Sequence, residues 1–170
     1  MPVKNILILC IGNILMQDDG IGPRVAAELC ERYDVPANVS IMDKGTMGMA
    51  LLADLKRFNT VLVVDAVDNT GLEPGTVVTF SPQDMAPNVT ARGAHDTRFV
   101  DVLQAAELLG YRVDGHCLGV QVLKSAPVEF TIGLSPPVEA ALPILLNSVL
   151  DFLTAQGAPA TPKPTTPTSA

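Results

Sequence analysis

The sequence predicts an α/β domain, a three-layer sandwich whose twisted, mostly parallel sheet carries helices on both faces. Three observations predict it. Two short, continuous apolar runs, at 4–11 and 60–67, have the length and composition of strands buried on both faces. Between them lie a helical pattern over 23–33, an alternating run at 39–42 and a second helical pattern over 49–58. Strand, helix, strand, helix, strand within the first 67 residues indicates a right-handed parallel βαβαβ unit.

Each element has a local reason. Residues 4–11 stop at Gly12-Asn13. Pro23 suits the first turn of a helix, and Val25, Ala26, Leu29 and Cys30 then repeat at helical spacing, which puts Cys30 on the buried side. The run at 39–42 gives way to Asp43-Lys44-Gly45-Thr46, and Leu51, Leu52 and Leu55 face inward from 49–58. Asp68-Asn69-Thr70-Gly71 is turn chemistry, 76–80 a further short strand, and 81–93 a polar loop. Asp96 or Thr97 caps a helix through Leu109, with Phe99, Val102, Leu103 and Ala106 at helical spacing. Residues 118–123 and 130–132 read as two more strands, and 137–155 as a long amphipathic closing helix. The domain is expected to span 1–157. Residues 158–170, all Pro, Thr, Ser and Ala but for Lys163, are expected to form a disordered tail outside it.

Composition narrows the function classes. A chain of 170 residues and 17.9 kDa buries roughly two-thirds of its unfolded surface, enough for one core without staples. Its 48% hydrophobic content without Trp makes that core aliphatic. A net charge of −7 argues against nucleic acid or an anionic membrane as partner, because both require basic patches. No apolar run approaches the roughly 18 residues of a membrane span. The N-terminus lacks the apolar stretch and cleavage site of a signal peptide, so the cytoplasm is the expected location. Cys10, Cys30 and Cys117 lack C-x-x-C spacing, and read as buried small hydrophobes rather than a disulfide or zinc framework.

Open α/β sheets build their sites at the carboxyl ends of strands. Asp18 and Asp19 lie in the loop leaving the first strand; one acid there can cap the following helix while the other faces the cleft. Asp65 interrupts an apolar run, where a carboxylate without a partner costs several kcal/mol. His95, in Arg92-Gly93-Ala94-His95-Asp96, taken alone reads as a solvated loop residue. His116 neighbours Cys117, but adjacent strand residues point to opposite faces, so His116 reads as structural. Two carboxylates and an imidazole converging at one sheet edge form a hard-to-borderline metal set. The chain has no G-x-G-x-x-G, phosphate-loop Gly-Lys-Ser/Thr, G-x-S-x-G or His-Glu-x-x-His motif.

Taken together, the motifs resemble one family. The stretches are Ile11-Gly12-Asn13-Ile14-Leu15 with Asp18-Asp19-Gly20-Ile21-Gly22, Asp43-Lys44-Gly45-Thr46-Met47-Gly48 with Leu51-Leu52, and Val64-Asp65-Ala66. His95 followed by Asp101-Val102-Leu103, and Thr131-Ile132-Gly133-Leu134-Ser135 ahead of Val138-Glu139, complete the pattern. The chain resembles the hydrogenase maturation endopeptidases, which remove a C-terminal extension from the large subunit of nickel–iron hydrogenases. The resemblance implies an α/β sandwich in which Asp19, Asp65 and His95 are the catalytic, metal-contacting residues and Asp43, Gly45 and Thr46 contact substrate. It implies nickel as the metal, supplied by the precursor of the large subunit and serving as recognition signal, with another divalent metal able to substitute. Cys10 stands where the family usually has the first glycine of Gly-x-Gly-Asn, and Lys44 where it has the first glycine of Asp-Gly-Gly-Thr. The second departure leaves open whether that backbone needs positive φ. The alternatives are a non-enzymatic nickel-binding chaperone using the same side chains, and a small α/β hydrolase or nucleotide-binding domain with a divalent ion on Asp18, Asp19 and Asp65.

Overall fold

The computed structural model describes residues 2–45, 48–82, 90–91, 99–123 and 129–165. An interior strand of its sheet, β1 (Ile6–Cys10), has five apolar residues with no exposed surface. On one side β1 pairs in parallel with β3 (Val39–Asp43), on the other with β4 (Thr60–Asp68). Beyond β4 lies β7 (Asp114–Gln121), also parallel, and then β5 (Val77–Phe80), antiparallel to β7. The short β6 (Thr90–Ala91) pairs antiparallel with the end of β4. The order is therefore β3-β1-β4-β7-β5, mostly parallel as expected.

Alternation along the strands divides the core into two layers. Ile6, Ile8, Leu62 and Val64 face α1 (Ile21–Arg32) and α4 (Pro136–Ala155), where they meet Val25, Leu29, Leu145 and Val149. Leu7, Leu9, Val61 and Val63 face α2 (Leu52–Leu55) and α3 (Phe99–Leu108), meeting Leu55, Val102 and Ala106. Burial on both faces is why these strands read as unbroken apolar runs. α4 is long and apolar enough to cross a membrane by length and composition, which the sequence reading did not expect of any segment. Here its apolar stripe, Val138 through Leu153, is buried on the sheet as a core helix.

Several expected elements differ. The helix expected over 49–58 is a 3-10 turn, Gly48–Leu51, followed by only the four residues of α2. β7 starts at Asp114 rather than 118, because Thr60 of β4 pairs with Asp114 and draws the polar stretch Asp114-Gly115-His116 into the sheet. Residues 130–132 supply one parallel bridge, Met16 with Thr131, instead of a strand. Cys30 is exposed, one step around α1 past the buried Leu29. The chain after α4 is not a detached tail from residue 158 onward. Ala158 is buried in the core layer that α1 and α4 share, and β8 (Thr161–Pro162) pairs antiparallel with β2 (Tyr33–Asp34). Lys163 then donates from its backbone N–H to the Arg32 carbonyl at 2.8 Å and from Nζ to the Cys30 carbonyl at 2.7 Å. Backbone and lysine contacts hold this segment, so it needs no apolar periodicity. Residues 166–170 lie outside the described residues.

The start of α1 presses directly on the end of β1. A Cβ at Gly22 would lie 2.0 Å from the Ile11 carbonyl oxygen, so the helix can sit there only because this residue has no side chain. Gly22→Ala is expected to cost at least about 3 kcal/mol, read from the urea midpoint; an unchanged midpoint would contradict this packing. The core thiols give a second expectation. Burial, and then Asp65, pushes Cys117 up to about 12, and burial followed by Asp43, Cys30 and Asp65 pushes Cys10 higher still. A thiol reagent at pH 8 should therefore modify Cys30 alone in the native protein. Above an unfolded-chain thiol pKa of about 8.5, the native state holds protons that the unfolded chain releases. These two groups leave stability intact below that pH and lower it progressively as pH rises toward 12, measurable as a falling denaturation midpoint.

Candidate active site

From β1 the chain crosses to β3 on one side, and from β3 it crosses back to β4 on the other. The carboxyl ends of β1 and β4 thus flank the topological switch point, where open α/β sheets form their crevice. Three backbone hydrogen bonds tie the emerging segments together. The Ile11 N–H donates to the Val64 carbonyl, the Lys44 N–H to the Cys10 carbonyl and the Gly12 N–H to the Gly45 carbonyl, each at 3.1 Å. Gly12 has φ +146°, and a Cβ there would lie 1.9 Å from the Asp19 carbonyl oxygen. The loop after β1 folds back on its own start so closely that only glycine fits.

That loop runs into a 3-10 turn, Gln17–Gly20, which packs against β4 and buries both acids. Asp18 is 0% exposed and Asp19 7%. Asp18 does not cap α1, whose N-cap is Gly20. Its Oδ1 accepts from the Ser135 N–H at 2.7 Å, and its Oδ2 from the Ser135 hydroxyl at 2.8 Å and the Leu123 N–H at 3.4 Å. It therefore bonds the residue that opens α4, 117 positions away. Asp19 is held from the other side: its Oδ2 accepts from the Asn13 N–H at 3.0 Å, and the same N–H reaches its backbone carbonyl at 3.1 Å.

Asp65 is the sixth residue of β4 and does not close the strand, which continues to Asp68 alongside β7 and β6. Val64 is the last β4 residue paired with β1, so Asp65 stands one residue past the end of β1. Alternation places it with Val61 and Val63, toward the α2/α3 layer, while the turn bearing Asp19 leads into α1 on the opposite layer. Its Oδ1 accepts from the Ala66 N–H at 2.8 Å. Its charge is felt by both core thiols, Cys10 and Cys117. Asp43, at the tip of β3 opposite Cys10, accepts from the Gly45 N–H at 3.1 Å in an Asx-type turn.

Gly45 is the left-handed residue of that turn, at φ +56°, and Lys44 is not. The lysine is tolerated because its position needs no positive φ, and its Nζ pairs with Asp54 at 3.1 Å. His95 and Thr46 lie outside the described residues. The structure thus brings Asp19, Asp65, Asp43 and Gly45 to one sheet edge. Among the described residues no three His, Cys, Asp or Glu side chains form a metal cluster. His116 lies within β7, its ring edge-on to Phe152 at 5.2 Å and its Nε2 3.0 Å from Asp114. It lines a cavity of about 490 Å³ around the amino half of β7, at the opposite end of the sheet from Asp19 and Asp65.

Sequence reasoning missed Asn13, Leu123 and Ser135. Ser135 ahead of Pro136-Pro137 is an N-cap signal, but it points to its own helix, and its hydroxyl instead serves Asp18. Beside the turn, the bridge between Met16 and Thr131 lays two segments side by side, through Thr131 N–H to the Leu15 carbonyl at 2.8 Å and Gln17 N–H to the Thr131 carbonyl at 2.7 Å. They carry large exposed apolar side chains: Ile14 57%, Leu15 37%, Phe130 78% and Ile132 80%. Two carboxylates at the crevice can ligate a divalent cation or accept a proton from water.

Comparison with known proteins agrees with the fold. A family model described as hydrogenase maturation protease matches residues 23–152. The hydrogenase 2 maturation protease of Escherichia coli K12 is 35% identical over 159 residues, 93% of this chain and 96% of that protein. A hydrogenase expression/formation protein HupD of Rhodobacter capsulatus is 40% identical over 110 residues; the match covers 64% of this chain and about half, 52%, of that protein. The solved hydrogenase maturating endopeptidase HybD from E. coli superposes with a TM-score of 0.74 at 32% identity, covering 94% of this chain and 98% of that one. The chain belongs to the hydrogenase maturation protease family.

Proposed function

We propose that the protein is the endopeptidase that removes the C-terminal extension of a nickel–iron hydrogenase large-subunit precursor after nickel insertion, reading the nickel on the precursor as its signal. The observation that carries the reading is the placement of Asp19 and Asp65 on either side of the switch-point crevice in a chain of this family. With His95, they would complete the coordination of a nickel ion that the precursor presents on cysteine thiolates. Mixed carboxylate, imidazole and thiolate donors suit Ni²⁺, and another divalent metal could occupy the same donors. Nickel is here part of the substrate.

The chain's own contribution is position. Asp19 is fixed by the Asn13 N–H before any substrate arrives, so little reorganisation accompanies docking. The shared metal then holds the scissile peptide bond beside a water within reach of the acids. Asp43 and Gly45, with Thr46 next in sequence, would contact the precursor chain. The exposed Ile14, Leu15, Phe130 and Ile132 beside the turn suit a protein substrate better than a small solute.

Purified protein mixed with nickel-loaded precursor should yield a shortened large subunit on a gel, which a metal-handling chaperone would not produce. Asp19→Asn keeps an oxygen for the Asn13 N–H and should fold normally, yet slow processing by at least about 100-fold. Nickel-free precursor should stay uncut. Normal cleavage by Asp19→Asn, or equal cleavage of nickel-free precursor, would overturn the role of the acid or of the metal respectively.

A further inference from the structure

Asp18 and Asp19 are consecutive, buried, and anchored in opposite directions. The Asp18 carboxylate is tied to the start of α4 and to Leu123, two residues past β7; the Asp19 carboxylate is tied to the loop after β1. Just before them, Gln17 is held at φ +51°, a left-handed conformation uncommon for a residue with a side chain and kept only where its surroundings over-determine it. Its N–H is bound by Thr131 at 2.7 Å. The four-residue turn therefore cannot rotate without breaking the Asp18 bonds, and any rotation would carry Asp19 with it.

We propose that Asp18 is a positioning residue for peptide cleavage: clamped by Ser135 and Leu123, it transmits the rigidity of α4 to the turn and so sets the direction of the Asp19 carboxylate. This rests on the functional reading above. The use of Ser135 supports it. A serine opening a helix ordinarily turns its hydroxyl to the first-turn N–H groups, but α4 begins without a side-chain cap because this hydroxyl is given to Asp18. The three donors that satisfy this buried carboxylate come from two elements more than 100 positions away, and the turn they hold is the one bearing Asp19.

The test compares Ser135→Ala, Ser135→Thr and Asp18→Asn with the wild type. One readout is the NMR resonance and exchange protection of the Asn13 amide, which reports the Asp19 carboxylate directly; the other is kcat and KM on nickel-loaded precursor, measured well below the unfolding temperature. Ser135→Ala should shift the Asn13 amide, lower its protection, and reduce kcat about tenfold with KM within about twofold. Ser135→Thr retains the hydroxyl and should restore both readouts. Asp18→Asn should act in the same direction and more strongly; if it fails to fold, the two Ser135 variants still decide. An unchanged Asn13 amide in folded Ser135→Ala would overturn the proposal, as would a kcat equal to wild type or an equal loss in Ser135→Thr. If wild-type protein fails to shorten the precursor, the functional reading falls, while the Asn13 amide still decides whether the clamp orients Asp19.

Discussion

The geometry of the crevice depends on two backbone approaches too close for a side chain. At Gly12 the loop leaving β1 lies against the Asp19 carbonyl, and at Gly22 the first turn of α1 lies against the Ile11 carbonyl. Together they fold nine residues back over the tip of a fully buried strand. β1 has no exposed residue and is flanked by strands on both sides, so the surface against which the loop is pressed cannot yield. The aliphatic core and the two acids are thus parts of one construction: the core makes the strand tip rigid, and the missing Cβ atoms let the acids be fastened to it.

The paired acids divide two tasks that one carboxylate could not perform. Asp18 binds Ser135 and Leu123, and Asp19 binds Asn13 in the loop after β1. Asp65 reaches the same edge by a different route, through β4 running past the end of β1. A doubly wound sheet supplies such an edge in many unrelated proteins, so the fold by itself names no chemistry. The family to which the chain belongs is what points to proteolysis.

Much of this was legible before any coordinates. β1 and β4 were visible because burial on both faces leaves an uninterrupted apolar run, and α1 because Pro23, Val25 and Leu29 sit where a helix packed on a sheet needs them. The start of β7 was not, since Asp114-Gly115-His116 joins the sheet by backbone pairing to Thr60-Val61-Leu62 with polar side chains. The segment after α4 escaped for the same reason: backbone bonds and Lys163 dock it, which leaves no hydrophobic period to read. At the site, Asp19, Asp65 and Asp43 could be placed toward one edge of the sheet from pattern and family likeness. The partnership of Asp18 with Ser135 could not, because a contact across 117 residues has no local signature. His95 and Thr46 fall outside the described residues, and their roles belong to the proposal.

Under the proposed function, the switch-point crevice shares a metal ion with a protein substrate. Anomalous diffraction at the nickel edge, from crystals of the protein soaked in Ni²⁺, tests it most directly. One nickel peak is expected within bonding distance of both Asp19 and Asp65, with the His95 imidazole completing the site. A peak confined to Asp114 and His116, or carboxylates of Asp19 and Asp65 too far apart to reach a common ion, would contradict it.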